Sequence, residues 1–100
     1  MKPFTKVKKM INGTEYTAQF NGFAESYKFV DAITDANMKP SLYKGAEYLF
    51  ENVLVEPKKS FNDFESREEL DEVIAFLTEV KDGTFREETD EGTAEGDSKK

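Results

Sequence analysis

Residues 10–16 read MINGTEY. Asn12-Gly13 stands between two alternating runs, and a two-residue hairpin loop needs positive φ at both central positions, which Asn and Gly supply with least strain. That turn fixes the register outward, with Ile11 opposite Thr14, Lys9 opposite Tyr16, Val7 opposite Ala18 and Thr5 opposite Phe20. One face then carries Val7, Ile11, Tyr16, Ala18 and Phe20, and the other Lys6, Lys8, Met10, Glu15, Thr17 and Gln19. Only Lys9 and Met10 fall on the wrong side, so the pattern supports the pairing independently of the turn. The first segment is a β-hairpin over 4–20. Asn12-Gly13-Thr14 also spells a glycosylation acceptor, but the basic start MKPFTKVKKM lacks the apolar stretch and cleavage site of an export signal.

Past the hairpin the period changes. Phe23, Tyr27, Val30 and Ile33 recur at three- and four-residue steps, with Asp31, Thr34 and Asp35 facing away, which predicts a helix over roughly 23–37. Pro40 disfavours helical geometry at Lys39 and closes it. Ser41 caps a second helix over roughly 41–55, with Leu42, Ala46, Leu49, Phe50, Val53 and Leu54 as its stripe. Pro57 ends that helix, or a short extended piece after it. Ser66-Arg67-Glu68-Glu69 has the spacing of a capping box, in which the serine hydroxyl accepts from the Glu69 amide and the Glu69 carboxylate reaches back to the Ser66 amide. The third helix, 66–81, buries Leu70, Val73, Ile74, Leu77 and Val80, and Asp82-Gly83 stops it.

The chain of 100 residues is thus read as one small α+β domain over 1–85, an N-terminal hairpin followed by three helices and mostly helical. Hydrophobic residues are only 37%, but nine Phe and four Tyr give a small core large buried areas. Beyond Phe85 the apolar residues vanish, and 86–100 is expected to be a disordered acidic tail.

Chemistry is excluded more readily than it is found. The chain has no His and no Cys, so it holds no Ser-His-Asp or Cys-His nucleophile, no disulfide and none of the common zinc sites. Its glycines fall singly rather than in a phosphate-cradling loop, and no acidic segment has the spacing of a calcium loop. No catalytic residue, cofactor or metal is expected. A net charge of −7 argues against nucleic acid as a partner. No apolar run approaches the roughly 18 residues of a membrane span. The default location is cytoplasmic.

What stands out is a surplus of aromatics in 43–64. Tyr43, Tyr48, Phe61 and Phe64 lie outside the stripes, and the linker that carries Phe61 and Phe64 has no helical pattern. Either the two phenylalanines fold back onto the core, or the four residues form an exposed patch that marks a partner surface.

The stretch YLFENVLVEPKKSFNDFES, followed by REELDEVIAFLTEV and a charged tail, resembles the small tail assembly chaperones of long-tailed phages and prophages of Gram-positive bacteria. The order is shared over roughly 10–82: an ING-x-EY strand pair, a helical middle, the ENVLVEP segment and the third helix. The resemblance implies a protein that binds the tape-measure protein and the tail-tube protein in the host cytoplasm. It would hold the tape soluble during tail assembly and be absent from the mature virion. It brings no catalytic residues. Two other readings compete: a structural tail or connector subunit, which should show long strands and a self-complementary edge, and a small cytoplasmic protein-binding module unrelated to phage. Self-association is left open.

Overall fold

A computed structural model describes residues 1–86. Two antiparallel strands, β1 (Thr5–Ile11) and β2 (Thr14–Phe20), open the chain, and their register matches the expected pairing at every position. Asn12 and Gly13 both take positive φ, 51° and 82°, as the turn requires. Three helices follow: α1 (Phe23–Ile33), α2 (Leu42–Asn52) and α3 (Arg67–Lys81). The domain is α+β, as the sequence reads. The expected tail lies, apart from Arg86, outside the described residues.

Two boundaries and one cap differ. The first helix stops at Ile33, not near Asn37, because residues 34–40 build a tight loop of their own. Thr34 bridges to Pro40, and one carboxylate oxygen of Asp35 accepts from the amides of Asn37 and Lys39 at 2.8 and 3.0 Å. Such local side-chain bonds compete with the helix for the same backbone. The second helix stops at Asn52, and Leu54–Glu56 forms a short strand, β3, antiparallel to β2. Among the described residues the sheet therefore has three strands, in the order β1-β2-β3. Val53 marks the switch: its amide still bonds Leu49 while its carbonyl already accepts from Gln19 of β2. A β-branched run, VLV, is ill-suited to prolong a helix and well-suited to a sheet edge.

The third correction concerns the cap of α3. Ser66 Oγ accepts from the Glu69 amide at 3.1 Å, as expected, but the Glu69 carboxylate does not turn back to Ser66. It is buried under the hairpin, where Tyr16 Oη donates to it at 2.5 Å and Asn12 Nδ2 at 3.1 Å. Lys59 Nζ lies 3.8 Å from the same carboxylate and donates to Tyr16 Oη at 3.1 Å. The Tyr16 hydrogen bond, then that of Asn12, holds Glu69 below the usual carboxylate range against the opposing effect of burial. Burial first, and the Glu69 bond second, raise Tyr16. This cluster ties the hairpin turn, the linker and the start of α3 into one unit.

The core lies between the inner sheet face and the three helices. Ile11, Tyr16, Ala18 and Phe20 meet Phe50, Leu54, Val73, Phe76, Leu77 and Val80, all nearly inaccessible to solvent. At the end of α3, Gly83 has φ of 73° and packs so closely that an added Cβ would lie 3.0 Å from the Phe23 ring and 3.1 Å from that of Phe20.

Candidate functional site

Where the four candidate residues fall decides whether they form a surface. Tyr43 is the second residue of α2 and 61% exposed, with its ring stacked on Phe61 at 5.0 Å. Phe61 opens a short 3-10 turn (Phe61–Asp63) and meets Phe50 edge-on at 5.3 Å. Phe64 lies 5.7 Å from the same Phe50 ring and 6.4 Å from Tyr16. Both phenylalanines are half-buried, folded back against the core. Tyr43, Phe61 and Phe64 thus form one cluster around Phe50. Tyr48 stands apart, on the side of α2 that faces α1, edge-on to Phe29 at 5.2 Å. Its hydroxyl is raised by burial first and by the neighbouring Glu25 second. None of the four is fully buried.

The aromatic cluster closes one end of a larger feature. A groove of about 580 Å³ runs between α1 and α3, with α2 as its floor. Phe29 and Ile33 form the α1 wall, Leu70, Ile74 and Thr78 the α3 wall, and Ala46 and Leu49 the floor. Gly45 lets the helices approach, since a Cβ there would already touch Phe29 at 3.4 Å. The two charged side chains in the lining, Arg67 and Asp71, pair with each other at 3.1 Å. What remains is apolar wall. Leu42 lines the groove yet is 94% exposed, so its isobutyl group has almost no contact with its own domain.

Two inward assignments from the helical period are corrected here. Leu42 is the first residue after the Ser41 cap, and the first turn of α2 projects beyond the core. On α1 the stripe of Phe23, Tyr27 and Val30 faces solvent, at 57%, 81% and 52% exposed, while Phe29 and Ile33 turn inward. Both faces of α1 are apolar, so its period alone could not choose between them. The winning face carries Phe29, whose ring lies 4.1 Å below the Lys81 ammonium in a cation–π contact, with Ser26 hydrogen-bonded to Asp82.

Phe23, at the start of that solvent-facing stripe, packs against Phe20 beside Gly83 at the end of α3. Tyr27 and Val30 are exposed and do not line the groove.

No known protein family, curated protein or solved structure matches the chain. The site is characterised by its own geometry. Among the described residues, no group of three or more acidic side chains is placed to hold a metal ion. No helix among them is long and apolar enough to cross a membrane. The surplus aromatics of the sequence mark the Tyr43–Phe61 end of the groove, whereas Leu42 and Ile74 line it although their helical spacing assigned them to the core.

Proposed function

We propose that this chain is a non-enzymatic phage tail assembly chaperone, acting in the host cytoplasm and absent from the finished particle. It binds the tape-measure protein, and with it the tail-tube protein, and keeps the tape soluble until the tube forms around it. The observation that carries this reading is the open groove, with Leu42 at 94% and Tyr43 at 61% exposure on its rim. A monomeric domain gains nothing by leaving such side chains in water, and an apolar patch of this kind marks a protein-binding surface. The resemblance of residues 10–82 supplies the identity of the partner.

A structural tail subunit is the weaker reading. The longer edge strand, β1, carries Lys6, Lys8 and Lys9, the kind of charge that blunts strand-to-strand pairing between copies. Co-expression with the tape-measure protein of the same genome tests the proposal. Soluble tape-measure protein that co-purifies with this chain supports it, and insoluble tape-measure protein with this chain eluting alone refutes it.

A further inference from the structure

The groove has a definite shape and a definite electrostatic setting, and together they specify an occupant. Its α3 wall runs from Arg67 to Thr78, one face of the helix and a rise of roughly 16 Å, or three turns. Apolar side chains of three helices converge on it, and that length suits about three turns of a docked helix. Helix-in-groove recognition uses anchors at i, i+3 or i+4, and i+7.

Charge selects among helices. Over α1, α2 and α3 there are nine acidic side chains (Glu25, Asp31, Glu47, Glu51, Glu68, Glu69, Asp71, Glu72 and Glu79) against four basic ones (Lys28, Lys44, Arg67 and Lys81), a net −5. The hairpin strands carry Lys6, Lys8 and Lys9 against Glu15, a net +2. The helical layer that bears the groove is thus acidic in sum, while the two charges in the groove lining, Arg67 and Asp71, cancel. On α3, Glu68, Glu72 and Glu79 are exposed and have no ion-pair partner among the described residues, whereas Arg67 is already engaged by Asp71.

We propose that the groove takes a three-turn amphipathic helix of the partner whose apolar face is flanked by lysine or arginine. This deepens the proposed chaperone role and rests on it only in treating the groove as a partner surface. Two occupants from within the chain fit poorly. Residues 87–100 hold six acids and Ala94 as their one aliphatic side chain, so they offer neither the charge nor the anchors. The Phe23–Tyr27–Val30 stripe of a second copy has the anchor spacing, but would bring together two copies whose three helices each sum to −5.

The test uses the full chain and three synthetic helical peptides of equal length. One has a leucine face with lysine flanks, one the same face with glutamate flanks, and one is the lysine peptide interrupted by proline. The lysine-flanked helix is expected to bind at least tenfold tighter than either of the others, and to shift the amide signals of Ile33, Leu42, Ala46 and Ile74. Leu42→Glu is the decisive variant, because Leu42 is too exposed for its loss to unfold the domain and the change adds negative charge. Binding of the lysine peptide should fall at least fivefold in spite of that added attraction. Equal binding of the lysine and glutamate peptides would overturn the inference. So would shifts confined to other surfaces, indifference to Leu42→Glu, or concentration-dependent dimerisation that Leu42→Glu abolishes. A tape-measure complex that survives Leu42→Glu would overturn the groove assignment and leave the chaperone role standing. Peptide binding at the groove with no tape-measure complex would do the reverse.

Discussion

Tyr16→Phe removes one oxygen atom from the centre of the fold and should be disproportionately costly. The side chain is fully buried, and its hydroxyl donates to Glu69 at 2.5 Å while accepting from Lys59 at 3.1 Å. The ring would stay in place against Phe64, so the change leaves packing intact and isolates the hydrogen bonds. A hydrogen bond to a charged acceptor contributes about 1.5–3 kcal/mol, so a loss of about 2 kcal/mol is expected at neutral pH. For a domain near 100 residues, that lowers Tm by roughly 8–16 °C. Urea unfolding should show the midpoint shifted with the slope unchanged. The pH dependence provides a second signature. Glu69 is held below the usual carboxylate range chiefly by this bond. A carboxylate of lowered pKa adds stability that is fully present above its unfolded value, about 4.3, and is lost as pH falls through the folded value. The gap between the native chain and Tyr16→Phe should therefore be full at pH 7 and narrow once pH drops below about 4. A variant as stable as the native chain at pH 7, or a gap that does not change with pH, would refute the reasoning.

Other variants probe separate parts of the account by the same unfolding assay. Gly83→Ala forces a side chain into positive φ with its Cβ 3.0 Å from Phe23, and should cost at least the roughly 1–2 kcal/mol of left-handed backbone strain. Ser66→Ala removes the acceptor of the Glu69 amide and should cost about 1 kcal/mol, with no help from a reciprocal Glu69 bond. Phe50→Ala empties the site on which Phe61 and Phe64 rest and should cost about 3–5 kcal/mol, whereas Tyr43→Ala, at the exposed edge of the same cluster, should change stability by less than about 0.5 kcal/mol.

The hairpin was legible residue by residue because two independent signals agreed there: a turn that demands Asn-Gly, and an alternation that tolerates only one register. The third helix was legible for a similar reason, with a serine cap, an apolar stripe and a glycine stop in the right order. Where a single signal spoke, it misled. In VLVEP the apolar residues continue the stripe of α2 by spacing, yet Leu54–Glu56 is claimed by the free edge of β2, a long-range partner that local periodicity does not register. On α1 two apolar faces shared Ile33, and only tertiary contacts with Gly45 and Lys81 selected the Phe29 face. Glu69 fits a capping box by spacing, but a buried tyrosine hydroxyl within reach was the stronger partner. The candidate site was half legible. Surplus aromatics pointed to its Tyr43–Phe61 end, and its remaining walls came from side chains whose spacing reads as core.

The groove between α1 and α3 is the proposed seat of the tape-measure protein. Quantitative co-purification of tape-measure protein with the native chain and with Leu42→Glu, each shown to have the same Tm, tests it most directly. A soluble complex is expected with the native chain, and loss of most of the bound tape-measure protein with the variant. Equal recovery from both, or no soluble complex with either, would contradict it.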